Sequence, residues 1–310
     1  MLVLLLSCTG KIPTEALAEE PAEPSPVEVP ADAPAAVEAD FADLSQQATI
    51  TFAVLGDSGV VGEDAVAVGE HLAATCRRLG CDFALFLGDN VYPAGVKSVD
   101  DEGFQTSFER PFAPIGELRS WMVLGNHDHL GDVQAQLDYE SPRWRMPARH
   151  YQVPGLPAWL VLYGWDSQEA HKRPDSPETA QMLADMKASL CSTSGWAFPF
   201  GHHPNHSSGP HGRGDELDGV RALTEPIWAE CGVQASFSGH DHHLEVLKSE
   251  GYLSLISGAG SSNRGVCDNE GPYKRADSCA SRGGLNQKFL SGELGYMVVT
   301  ATETSARLDV

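Results

Sequence analysis

The sequence has no apolar run of the roughly 20 residues that a membrane-crossing helix requires, so a spanning segment is not expected. It is also short of cations: 21 Lys and Arg stand against 43 Asp and Glu, a formal net charge of −22. Nucleic-acid binding relies on Lys and Arg at the phosphates, so this balance argues against it and against an anionic membrane surface. A small phosphate ester is not excluded, because bound cations dominate the field inside a site. No cysteine pair has zinc-finger spacing, and no internal repeat is visible.

The N-terminus lacks the positive n-region of a secretory signal. Yet Met1-Leu2-Val3-Leu4-Leu5-Leu6-Ser7-Cys8 is a short apolar run ending in Leu-x-Ser-Cys, which resembles the lipobox of bacterial lipoprotein signals. Residues 1–8 are therefore expected to be such a signal, with a lipid anchor at Cys8 and the start codon assigned late; the alternative is a chance apolar N-terminus. Residues 9–48 are rich in Pro, Ala and Glu. Such a stretch cannot bury enough apolar surface to offset its ordering entropy, and it reads as a disordered tether. Residues 49–310 would be the folded domain, held outside the cytoplasm as a membrane-anchored lipoprotein. Besides Cys8 there are six cysteines, an even number that suits disulfides in an exported protein. Cys267 with Cys279 is the first pairing by position. Cys191 with Cys231 is a second, and Cys76 with Cys81 either pair or stay as thiols; the spacing leaves the connectivity open.

Apolar, β-branched runs at 49–55, 83–87, 121–124, 158–163, 196–200 and 233–237 read as strands, with helical spacing between them at 63–79, 101–110, 176–190 and 217–230. Strand pairs are expected near 244–257 and 295–309, separated by a Gly-rich polar loop over 260–292. This alternation predicts an α/β domain with covered central sheets. Sites in such folds lie beyond the carboxyl ends of the strands. Five blocks rich in Asp, Asn and His occur at those ends: Gly56-Asp57-Ser58-Gly59, Gly88-Asp89-Asn90-Val91-Tyr92, Gly125-Asn126-His127-Asp128, Gly201-His202-His203-Pro204 and Gly239-His240-Asp241-His242.

Asp57, Asp89, Asn126, His202, His240 and His242 suffice for two metal sites, with Asp89 as the natural bridge. His240 and His242 are two apart, so on a strand end they face one side. Two cations about 3.5–4 Å apart can clamp a phosphate and activate a hydroxide between them. Tyr92 discriminates among metals. A phenol with an unperturbed pKa near 10 is a poor ligand, but a hard trivalent cation can hold it as phenolate. Tyr92 thus argues for Fe(III).

With these blocks in place, the chain resembles the purple acid phosphatases of the calcineurin-like metallophosphoesterase superfamily, and the small tartrate-resistant type most closely. The likeness spans roughly residues 49 to 300 and extends to Phe104-Gln105-Thr106-Ser107-Phe108-Glu109, Gln134-Ala135-Gln136 and Ser257-Gly258-Ala259-Gly260. The resemblance implies a four-layer sandwich, two central mixed β-sheets flanked by helices on both sides. It assigns Asp57, Asp89, Tyr92 and His242 to Fe(III), and Asp89, Asn126, His202 and His240 to a divalent ion: Fe(II), Zn or Mn. It makes His127 and His211 the catalytic histidines that orient phosphate and protonate the leaving alcohol, with Asp128 orienting His127. The implied reaction is hydrolysis of phosphate monoesters at acidic pH by hydroxide generated at the ion pair. Departures are Ser58 in place of a large residue, His203 in place of Tyr, and a shorter segment between Trp165 and Pro177.

A phosphodiesterase or nucleotidase with the same centre is an alternative. A non-catalytic tethered phosphate- or metal-binding lipoprotein is another, and redox by-products of the iron a third. Asp64, Asp82 and Asp138 read as solvated or capping residues, and His71, His150 and His171 as surface or core. His129, His206 and His243 lie beside the blocks. Arg213-Gly214-Asp215 reads as a chance tripeptide. Substrate, oligomeric state and the divalent metal are not encoded in any readable pattern.

Overall fold

The computed structural model describes residues 4–7, 43–212, 214–249, 251–263 and 286–310. Cys8, most of the expected tether, Arg213 and the Cys267–Cys279 pairing lie outside these residues.

The continuous apolar runs form two seven-stranded sheets. The first contains β1 (Leu4–Ser7), β2 (Thr49–Leu55), β3 (Phe83–Phe86), β4 (Ser120–Met122) and β5 (Trp144–Arg145). The second contains β6 (Tyr151–Gln152), β7 (Leu160–Gly164), β8 (Trp196–Phe200), β9 (Ala235–Ser238), β10 (Leu244–Lys248), β11 (Leu253–Ser257) and β12 (Asn286–Ser291). The chain then returns to the first sheet as β13 (Met297–Thr302) and β14 (Ser305–Asp309). Strand order is β1-β14-β13-β2-β3-β4-β5 in one sheet and β12-β10-β11-β9-β8-β7-β6 in the other. β2 to β5 run parallel, as do β7, β8, β9 and β11, and antiparallel strands close the edges.

The helices are α1 (Glu63–Leu79), α2 (Glu102–Phe104), α3 (Val133–Asp138), α4 (Ser167–Lys172), α5 (Pro177–Leu190) and α6 (Asp215–Cys231), with a wide turn of helix over 105–109 after α2. Alternate residues of each strand face opposite layers, as the two-residue period of a strand demands. Phe52, Val54, Phe83 and Leu85 from one sheet meet Phe198, Phe200, Phe237 and Leu255 from the other. Phe52 and Phe237 join the sheets edge to face at 6.0 Å between centroids, a geometry aromatic quadrupoles favour. The opposite faces pack outward. Ala53 and Leu55 meet Val68 and Leu72 of α1, while Val161 and Tyr163 meet Met182 and Met186 of α5 and Trp228 of α6. The result is a four-layer α/β arrangement with mixed sheets.

Among the described residues two disulfides form, Cys76–Cys81 at the end of α1 and Cys191–Cys231 between the ends of α5 and α6. Two expectations need correction. The polar segment over 260–292 ends in β12, whose Gln287, Phe289 and Leu290 pair with β10. The end of the expected tether is folded: Leu44 packs on the inter-sheet core and its amide donates to Gly155 O at 2.9 Å. β1 (Leu4–Ser7) pairs antiparallel with β14 at the edge of the first sheet. No helix among the described residues is long and apolar enough to cross a membrane.

Candidate metal centre

All five blocks follow parallel strands: β2, β3 and β4 in the first sheet, β8 and β9 in the second. Their glycines have a steric reason. A Cβ on Gly125 would collide with Asp89 Oδ1, and one on Gly239 with Asp57 Oδ2. Small residues therefore let the carboxylates of neighbouring strands reach a common point. The ligand-bearing residues turn sharply there. Asp57, Asp89 and His240 hold left-handed backbone conformations, with φ of 54°, 53° and 69°, which non-glycine residues seldom adopt.

Tyr92 Oη lies at the meeting of one group. It donates to Asp89 Oδ2 at 2.7 Å, stands 3.1 Å from Asp57 Oδ1 and 3.2 Å from His242 Nε2. His242 Nε2 is 3.3 Å from Asp57 Oδ1. Burial, then the charges of Asp57 and Asp89, raise the Tyr92 phenol far above its ordinary value. Asp57 is wholly buried, which opposes its charge, yet His242 and the neighbouring imidazoles hold it below the usual carboxylate range.

His202 centres the second group. Its Nδ1 meets Leu87 O at 2.9 Å and must carry the proton. Nε2 then faces Asn126 Oδ1 at 3.0 Å, His240 Nδ1 at 3.1 Å and Asp89 Oδ1 at 3.5 Å. Four lone-pair atoms thus converge, His202 Nε2, Asn126 Oδ1, His240 Nδ1 and Asp89 Oδ1. Such a set needs a cation, or a shared proton, to be stable. Asp57, Asp89 and His202 fall within metal-chelating reach of one another. The donor set of carboxylate, phenol, imidazole and amide fits two ions, a hard one beside Tyr92 and a borderline one beside His202 and His240.

His127 is half-buried beside these groups. Its ring lies 4.4 Å from that of Tyr92, its amide donates to Asp89 Oδ1 at 2.9 Å, and its Nδ1 meets Pro93 O at 2.6 Å. Asp128 does not orient it, contrary to expectation. The Asp128 oxygens are taken by the amides of Gly125, Asn90 and Val91 and by the side-chain amides of Asn90 and Gln136. Asp128 is a buried staple between the second and third blocks, and burial together with the charge of Asp89 raises its pKa. His211 lies across the site, its ring 3.9 Å from that of His240. Its backbone amide donates to Asp241 Oδ1 at 3.1 Å, and Ser207 Oγ donates to Asp241 Oδ2. Asp241, within the fifth block, thus fixes the loop that carries His211.

Of the bystander histidines, His129 pairs with Asp166 at 2.8 Å, His206 with Glu225 at 2.8 Å and His243 with Glu245 at 3.0 Å. Two residues near the centre were not singled out from the sequence. Ser262 Oγ meets His242 Nδ1 at 2.6 Å and orients that ring. Glu216, in the first turn of α6, reaches His203, His211 and His240. It immediately follows the tripeptide read as chance. The available signal was an acidic residue opening a helix after glycine, where the helix dipole favours an anion.

Comparison with known proteins agrees with this geometry. Residues 50–244 match the family of calcineurin-like phosphoesterases. Tartrate-resistant acid phosphatase type 5 of Homo sapiens is 35% identical over 63% of this chain and 66% of its own length. The same enzyme of Oryctolagus cuniculus is 33% identical over 68% of this chain and 73% of its own. Purple acid phosphatase 7 of Arabidopsis thaliana is 29% identical over 69% and 70%. The chain thus spans about two thirds of the length of the human relative. Among solved structures, the inner-membrane-complex anchor GAP50 of Plasmodium superposes with a TM-score of 0.69 at 19% identity, over 84% of each chain. The purple acid phosphatase PPD1 of Lupinus luteus does so with 0.60 at 14% identity, over 86% of this chain and 52% of its own.

Proposed function

This chain belongs to the calcineurin-like phosphoesterase family, and we propose that it is an acid phosphatase that hydrolyses phosphate monoesters with Fe(III) and a divalent ion, Fe(II), Zn or Mn. It is a phosphoester hydrolase by family. The observation that carries the finer reading is the position of Tyr92 Oη, within 3.2 Å of Asp57, Asp89 and His242. A phenol packed against two carboxylates is costly to ionise unless a highly charged cation sits among them. Divalent phosphoesterase chemistry alone has no need of it.

Asp57, Asp89, Tyr92 and His242 would hold the ferric ion, and Asp89, Asn126, His202 and His240 the divalent one. When bound, the ions supply positive charge for the phosphate oxygens and an acidified water as nucleophile. The remaining work falls to the protein. Pro93 O accepts a hydrogen bond from His127 Nδ1 and so holds the ring with its Nε2 edge 4.0 Å from Asp89 Oδ2. His127 orients the phosphate, and His211 from the opposite side gives a proton to the leaving alcohol. Gly125 and Gly239 keep the ligand carboxylates unhindered, and Asp128 and Asp241 hold the loops that carry the histidines. Export is part of the proposal: two disulfides suit an oxidising compartment, and Cys8 would carry the lipid anchor.

The test is hydrolysis of para-nitrophenyl phosphate and of bis-para-nitrophenyl phosphate across pH 3–9 by the full chain loaded with iron and zinc. Turnover of the monoester with an acidic optimum supports the reading. A preference for the diester, or activity confined to neutral and alkaline pH, refutes it.

A further inference from the structure

Beside the divalent half of the centre, one carboxylate faces a ring of imidazoles. Glu216 Oε1 is 3.2 Å from His203 Nε2, and Oε2 is 3.5 Å from His240 Nε2 and 3.6 Å from His211 Nδ1. His203 and His240 are 3% and 6% exposed. Among the described residues, neither ring's Nε2 makes an aligned hydrogen bond. Glu216 is the acceptor within reach of both.

The tautomers follow from the partners on the far side of each ring. Ser167 Oγ accepts the amides of His202 and His203, so its own hydrogen is left for His203 Nδ1 at 2.8 Å. His203 Nε2 therefore carries a proton directed at Glu216. His240 Nδ1 turns to His202 Nε2 and the metal donors at 3.1 Å, which again leaves the proton on Nε2, toward Glu216. The same three side chains, His203, Glu216 and His240, are close enough to chelate an ion themselves. Protonated Nε2 atoms cannot do so, and at His240 chelation would require an imidazolate bridge. A charged Glu216 facing two N–H groups needs neither.

Resting on the functional reading above, we propose that Glu216 is the positioning carboxylate of the divalent half-site. It holds His240 with Nδ1 presented to the metal and His211 with Nε2 left for substrate. A carboxylate behind a metal-bound imidazole fixes its tautomer and raises its basicity, and its loss typically costs tenfold to a hundredfold in metal affinity. The first turn of α6 suits the task, because the positive end of the helix favours a charged Glu there.

The experiment is zinc affinity, by competition with a chelator, of the iron-loaded full chain and of Glu216→Gln. The variant should bind zinc tenfold to a hundredfold more weakly, with its iron content and the visible phenolate-to-iron absorption of Tyr92 unchanged. Glu216→Asp, which keeps the charge on a shorter arm, should give an intermediate loss and carries the test if the glutamine variant fails to fold. Equal zinc affinity in parent and variant overturns the proposal. So does a parent binding one equivalent of zinc more than the variant, which would mark a separate cation site. If the parent itself shows neither the absorption band nor an iron–zinc pair, the functional reading fails instead, independently of Glu216.

Discussion

The backbone amide of His240 donates to Asp57 Oδ2 at 2.8 Å, a bond that ties the last strand block to the first across 183 positions and across the two sheets. Asp57 thus fastens the two blocks while its other oxygen faces Tyr92 and His242. Asp57→Asn keeps an acceptor for the amide but loses the charge, so it should fold normally and retain little iron. Asp57→Ala should in addition lose about 1–3 kcal/mol, the cost of an unsatisfied buried amide. Iron content and thermal melting of the two variants separate the roles; an Asn variant with full iron would remove Asp57 from the ligand set.

Tyr92→Phe deletes the hydroxyl that meets Asp89 and Asp57 and little else. The expected result is a folded protein with no visible phenolate-to-iron absorption and an iron centre that is easily reduced. Retention of the band would place the phenolate elsewhere.

Asn126→Ala and His202→Ala should each empty the divalent position, because both contribute to the one donor cluster around His202 Nε2. Metal analysis should read one ion per chain in place of two, and monoester turnover should fall at least about a hundredfold, the scale of losing a preorganised electrostatic stabiliser. Wild-type turnover in either variant would overturn the assignment.

Glu245 gives a pH signature of stability away from the centre. Burial raises its pKa, but His243 and Ser208 hydrogen-bond the carboxylate and bring it below the ordinary value. A depressed folded pKa means that the unfolded chain takes up the proton first. The stabilisation is therefore present above the unfolded value, near pH 4.3, and is lost as pH falls toward the folded one. Glu245→Gln should melt below the parent at neutral pH, and the gap should narrow under acid. A gap that widens under acid would contradict the pairing.

Cys191–Cys231 closes a 40-residue loop and clips α5 to α6, the helix that carries Glu216. Replacing both with serine should cost roughly 2–4 kcal/mol, measurable as a lower denaturant midpoint. An unchanged midpoint would mean that the clip adds nothing to the helix packing.

How far the sequence speaks depends on how local the cause is. The strands ahead of Gly56, Gly88 and Gly239 are legible, since each is a buried apolar run closed by a residue that must be small. β12 is not, because Asn286, Gln287 and Lys288 carry no strand pattern and are strands only through the edge of β10. Asp128 adjoins His127 in sequence, which suggested a partnership. Its oxygens instead satisfy the amides at 90, 91 and 125, a demand visible only once two strands lie side by side. Glu216 was missed for the same reason: its imidazole partners lie in the loops that follow β8 and β9, and nothing adjacent in the chain announces them.

The left-handed turns at Asp57, Asp89 and His240 set local comfort against use. Each holds a side-chain-bearing residue in a conformation that costs of the order of 1–2 kcal/mol and that glycine or asparagine would accept more readily. Asparagine at 57 and 89 would ease the backbone and still offer an acceptor to the amides of His240 and His127, but it would give up the negative charge. Asp, Asp and His at these three points thus trade backbone comfort for charge and lone pairs aimed at one place.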